Sequence, residues 1–86
     1  MPYKILIERR AEKDLKALEQ SDYHRILERL LILRENPRLH NTKKLVSSRN
    51  SWRLRVGDYR VLYDIFDSKK EIKVYRIKHR SIAYKL

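Results

Sequence analysis

Hydrophobic and polar positions divide the chain into segments with two different periods. Tyr3 to Ile7 is a short run with β-formers at its ends, and it predicts a strand. From Glu8 to Gln20 the spacing becomes helical, with Ala11, Leu15 and Leu18 on one stripe and Glu12 and Lys16 as an i,i+4 pair on the exposed side. Ser21 is placed to cap a second helix, with Asp22 near its positive end. That helix carries Tyr23, Ile26, Leu27, Leu30, Leu31 and Leu33, and it must stop near Asn36 because Pro37 disfavours helical geometry in the residue before it. Residues 38–50 are polar and basic without a clear period and read as a loop.

The second half has period two. Ser51 to Val56 alternates Trp52, Leu54 and Val56 with Arg53 and Arg55. Gly57-Asp58 is a two-residue turn, Tyr59 to Phe66 a second strand, residues 67–70 a second turn, and Glu71 to Ile77 a third strand. Residues 79–86 receive no assignment. The pattern predicts one α+β domain spanning residues 1–86. Its order is an N-terminal strand, a two-helix hairpin and a three-stranded antiparallel meander, with the helices packed on one face of the sheet.

The two-residue turn also sets the register. Val56 faces Tyr59, Leu54 faces Val61 and Trp52 faces Tyr63, which makes an apolar side for the helices. The other side holds Arg53 across from Leu62 and Arg55 across from Arg60. Like charges in direct opposition are destabilising, so this face is not optimised for stability. Pairing the third strand through the four-residue turn brings Tyr75 and Ile77 onto this same side, beside Leu62 and Arg60, with Lys78, His79 and Arg80 leaving near that edge. Arg60 on this reading is a surface group whose removal relieves repulsion.

Composition sharpens the picture. The 86 residues carry 22 Lys and Arg against 11 Asp and Glu, a net charge of +11. Residues 1–42 hold nine basic and seven acidic side chains, whereas residues 43–86 hold thirteen and four. A small fold loaded in this way calls for an anionic partner: nucleic acid, an anionic membrane or an acidic protein. The chain has no cysteine, which excludes disulfides and Cys-based zinc sites. It has one glycine, too few for a phosphate-cradling Gly-rich loop. No apolar run reaches the roughly 18 residues of a membrane span, and no signal peptide is legible, so a cytoplasmic location and no membrane partner are expected. His24, His40 and His79 have no metal-ligand spacing, and neither metal nor cofactor is expected.

Converging arginines grip a phosphate through two bonds each and stabilise the added charge of a pentacovalent transition state. His79, Arg80 and Tyr84 add residue types suited to proton transfer. From periodicity alone, a passive phosphate-binding face and a catalytic one are equally compatible with these residues.

The element order, the run Trp52-Arg-Leu-Arg-Val-Gly-Asp-Tyr-Arg-Val-Leu-Tyr63 and the ending His79-Arg-Ser-Ile-Ala-Tyr84 resemble the RelE branch of the RelE/ParE toxin superfamily from Tyr3 to Tyr84. The resemblance implies a type II toxin with a cognate antitoxin, acidic and partly disordered when free. The toxin would enter the ribosomal A site and cut mRNA without a metal, the ribose 2′-OH attacking the adjacent phosphate to leave a 2′,3′-cyclic phosphate. Arg60 matches the arginine holding that phosphate, Arg80 the basic residue that protonates the 5′ leaving oxygen, and Tyr84 the tyrosine that orients the nucleotide. Arg53 and Arg55 stand where relatives carry lysines. Arginine stays protonated, so the base falls to His79, Tyr84 or a ribosomal group. Lys43, Lys44 and Arg49 match contact with ribosomal RNA phosphates, which carry no sequence information. The alternatives are a ParE-like inhibitor of DNA gyrase without nuclease chemistry, and an inactive basic RNA-binding module.

Overall fold

The protein is seen here as a computed structural model that describes residues 2–39, 41–46 and 50–83. Strand β1 (Lys4–Ile7) is followed by helices α1 (Arg9–Lys16) and α2 (Gln20–Glu35). Strands β2 (Thr42–Lys44), β3 (Ser51–Val56), β4 (Tyr59–Phe66) and β5 (Glu71–His79) come next, and then one turn of helix, α3 (Arg80–Ala83). The sheet order is β1-β5-β4-β3-β2, with β1 parallel to β5 and the other pairs antiparallel. The core lies between one face of this sheet (Leu54, Val61, Tyr63, Ile72, Val74) and the helices (Ala11, Leu15, Ile26, Leu30, Leu33).

The two helices and the meander form as the periodicity predicts, with four differences. Helix α1 ends at Lys16 instead of running to Gln20, because the chain turns there and lays Leu18 against the core. Helix α2 then begins at Gln20 with extended Glu19 at its N-cap, so Ser21 lies inside the first turn. The helix ends at Glu35, before extended Asn36 and Pro37, as the proline requires.

The second difference is β2, which lies where a loop is expected. Thr42, Lys43 and Lys44 have no hydrophobic alternation, but they pair with Leu54, Arg53 and Trp52 and satisfy the outer backbone groups of β3. A short, lysine-bearing strand is a common way to end a sheet. The third difference is at the C-terminal end. Strand β5 continues to His79, and α3 is tied to the β3–β4 turn by the Arg80 N–H donating to the Asp58 carbonyl at 2.7 Å.

The β3–β4 register is the expected one, from Val56↔Tyr59 to Ser51↔Asp64. Gly57 opens the turn with φ +57°, and Asp58 has no positive φ, the pattern of a type II′ hairpin. The β4–β5 pairing departs from expectation. Leu62 pairs with Arg76 and Tyr63 with Val74, so Tyr75 is an extra residue in a β-bulge. Tyr75 and Arg76 both stand opposite Leu62, and the alternation reverses beyond them. Ile77 therefore faces Val61 in the core instead of lying beside Arg60, while Lys78 becomes the direct partner of Arg60.

Candidate nucleic-acid interface

Two cross-strand rows build the face opposite the helices. One runs Lys43, Arg53, Leu62, Arg76 across four strands, and the next runs Arg55, Arg60, Lys78 across three. Directly paired residues share a face, so these rows gather six cations around Leu62, which is buried beneath them. A groove of about 780 Å³ lies over the first row, and its lining includes Arg10, Lys43, Lys44, Arg53, Arg76 and Lys78 and, among the described residues, no carboxylate. Among the described residues, Arg76 alone of these six makes an ion pair, with Asp14 of α1. Clustered cations without counter-ions inside a concave wall focus positive potential outward.

The arginines within these rows differ. Arg55 is exposed. Arg60 is only 5% exposed, and its Nη1 donates to the carbonyls of Gly57 (3.1 Å) and Tyr59 (2.9 Å). The guanidinium thus braces the hairpin turn, whereas the sequence reading treats it as a free surface charge. The reason is local: a side chain one residue past the turn is within reach of the carbonyls of Gly57 and Tyr59.

His79 is not brought together with the arginines. The bulge turns it to the other face, where it pairs with Tyr59 and meets that ring edge-on at 5.5 Å. Its Nδ1 lies 3.0 Å from the Ser81 hydroxyl. Arg80 does not line the groove, and its Nε stands 4.0 Å from the Asp58 carboxylate at the hairpin tip. Lys43 and Lys44 form the β2 wall. Arg49 and Tyr84 lie outside the described residues.

Arg10, Tyr75, Arg76 and Lys78 line the groove without having been identified as site residues from sequence. The regular alternation assumed for β5 hid Arg76 and Lys78, and Arg10 arrives from α1 through tertiary packing alone. Two nearby carboxylates, Asp64 and Asp67, make no ion pair with these cations among the described residues. Asp64 accepts a hydrogen bond from Ser51, and Asp67 binds Arg38 and the Tyr3 hydroxyl.

The family model described as "ParE toxin of type II toxin-antitoxin system, parDE" matches residues 5–84. A protein named RelE1 from Methanocaldococcus jannaschii is 32% identical, over 99% of this chain and 98% of its own. The chain belongs to the RelE branch of the RelE/ParE superfamily. It is a toxin of a type II toxin–antitoxin system. Among solved structures, the toxin in the RelE–RelB complex of Pyrococcus horikoshii superposes with a TM-score of 0.84 at 33% identity, covering 93% of this chain and 97% of that one. In the RelBE2 toxin–antitoxin complex of Mycobacterium tuberculosis, a matching chain gives 0.80 at 28% identity, covering 93% of this chain and 100% of that one. The expected α+β architecture is that of these RelE structures, with the edge strand β2 added to the expected strands. Among the described residues, no helix is long and apolar enough to cross a membrane.

Proposed function

We propose that this RelE-family toxin is a ribosome-dependent mRNA endonuclease of the cytoplasm, restrained by a cognate acidic antitoxin. The observation that carries the reading is the pair of cationic rows on the sheet face away from the helices, where Arg53, Arg55, Arg60 and Lys78 occupy neighbouring positions and, among the described residues, make no ion pair with a carboxylate. A phosphodiester seated there has its charge matched in the ground state, and more strongly in a pentacovalent transition state. The ribose 2′-oxygen forms a bond to phosphorus as the bond to the 5′-oxygen breaks. The 2′-OH proton passes to a base, and the departing 5′-oxygen takes a proton. The products are a 2′,3′-cyclic phosphate and a free 5′-OH.

Arg53 and Arg55 are permanent cations suited to gripping the phosphate, and Arg60 supports the face from beneath the hairpin. Lys78 takes the place of His79, which faces the other side of the sheet, and joins Arg80 and Tyr84 as a proton-transfer candidate. An ammonium group can give and regain a proton, and Lys78 stands directly across from Arg60. Lys43, Lys44 and Arg49 are assigned to phosphate contacts with ribosomal RNA. Antitoxin binding is supported by the matched Pyrococcus and Mycobacterium structures, which are toxin–antitoxin complexes.

The test is primer extension on mRNA in a purified translation system, run beside naked RNA. Cuts restricted to ribosome-bound message, lost in Arg53→Ala/Lys78→Ala, are expected. Intact message with undisturbed translation overturns the reading. The ParE description of the matching family model favours one competitor, inhibition of DNA gyrase. A supercoiling assay in which the chain stalls gyrase while message stays intact would establish that instead.

A further inference from the structure

We propose that Tyr75 is a base-stacking subsite for single-stranded RNA at one end of the cationic groove. The inference rests on the RNA-directed reading above and adds to it a residue and a ligand group. Tyr75 is the extra residue of the bulge, and the bulge brings Arg76 onto the outer face beside it, both standing opposite Leu62. The ring is partly exposed and does not belong to the apolar core cluster. Among the described residues, its hydroxyl makes no hydrogen bond. A half-buried tyrosine at a ladder defect, outside the core cluster, has part of its ring to offer a ligand.

Tyr75 lies between two hollows. On one side is the main groove with Arg53 and Lys78, and on the other a hollow of about 350 Å³ bounded by Glu8, Arg9, Arg10 and Arg76. Arg10, Tyr75 and Arg76 line both. An aromatic face set among cations matches the alternation of a single strand, in which bases stack and the intervening phosphates are held by charge. The carboxylate of Glu8 distinguishes the two hollows. In the smaller one it offers an acceptor to a base amino group. A phosphate held in the main groove thus places its neighbouring base over Tyr75, towards Glu8.

The bulge is pinned independently of RNA. Asp14 Oδ2 accepts from Arg76 Nε and from the Ile77 N–H, each at 2.9 Å, so Tyr75 is presented before any ligand arrives.

The test uses the full chain and non-cleavable 2′-O-methyl pentanucleotides carrying 2-aminopurine at each position in turn. Stacking on Tyr75 is expected to quench the probe at one position. Tyr75→Leu should weaken binding at least ~5-fold and abolish that quench, while Tyr75→Phe keeps both. An abasic site at the quenched position should remove the difference between wild type and Tyr75→Leu. Equal affinity of Tyr75→Leu and wild type, a loss that persists with every abasic oligonucleotide, or no quench in wild type overturns the subsite. The two readings fail separately. Position-specific stacking with uncut ribosome-bound message sinks the nuclease but keeps the subsite. Message cleaved by a Tyr75→Leu chain of unchanged oligonucleotide affinity does the reverse.

Discussion

Asp14 and Arg76 are 62 residues apart in sequence, and their side chains meet at 2.9 Å between α1 and the bulge of β5. Both are about one-fifth to one-quarter exposed, and the same Asp14 oxygen also accepts the Ile77 N–H at 2.9 Å. The helix layer therefore holds a sheet irregularity in place, and that irregularity chooses which side chains of β5 face the groove.

Asp14→Ala should cost about 1–3 kcal/mol, since it leaves a partly buried guanidinium and a strand N–H without their acceptor. Asp14→Asn keeps an acceptor oxygen and should cost less. Urea unfolding ranks the variants, and amide exchange at Ile77 reports the pin directly. Equal stability of all three chains would mean that the bulge holds without it.

Arg60→Ala is expected to destabilise the fold. Lost hydrogen bonds from the guanidinium to the turn carbonyls are worth about 1–3 kcal/mol, whereas relief of like-charge opposition with Arg55 returns only a few tenths to about 1. Thermal unfolding decides the sign, and a more stable Arg60→Ala chain would restore the view of Arg60 as a repelled surface charge. A loss of toxicity in this variant must therefore be read beside its stability.

Acid should loosen the tie between β1, the chain after α2 and the β4–β5 turn. Hydrogen bonds from Arg38, and then from Tyr3, hold the Asp67 carboxyl down at about 2. A depressed acid contributes stability fully above about pH 4 and loses it as the pH falls towards 2. The ion pair is half exposed, so the contribution is below about 1 kcal/mol. The stability gap between wild type and Asp67→Asn should close over that interval. A gap independent of pH would show that the carboxylate charge is irrelevant.

Binding of single-stranded RNA or of an acidic antitoxin segment should weaken steeply with salt. For RNA, each phosphate contact contributes about −0.7 to the slope of log K against log salt, so Arg53→Gln should flatten it by roughly that amount. An affinity insensitive to salt would remove the electrostatic basis of the interface.

Gly57→Ala should cost about 1 kcal/mol and shorten the lifetime of the hairpin. The backbone there has φ +57°, which disfavours any side chain. The added Cβ would also sit 3.1 Å from the Arg25 guanidinium, a flexible group that can move aside, so backbone strain dominates. Hydrogen exchange across β3 and β4 measures the effect.

Much of this architecture is written in local patterns. The stripe of Ile26, Leu30 and Leu33, the stop before Pro37, and the strands on either side of Gly57-Asp58 follow from periodicity and turn chemistry. So does the facing of Arg55 and Arg60, because a two-residue turn leaves one register. The family resemblance was legible too, since it rests on contiguous residues. Three features were not. Strand β2 has no hydrophobic signal and forms only because β3 offers it a free edge. Arg60 reads as a surface charge until the turn carbonyls are placed within its reach. The bulge at Tyr75 leaves one mark in β5, Ile77 at the opposite parity to Ile72 and Val74, which without the packed core does not reveal an inserted residue. The bulge exchanges Ile77 and His79 for Arg76 and Lys78 on the cationic face. It is held by Asp14, a contact between distant elements that only the packed helix layer can make.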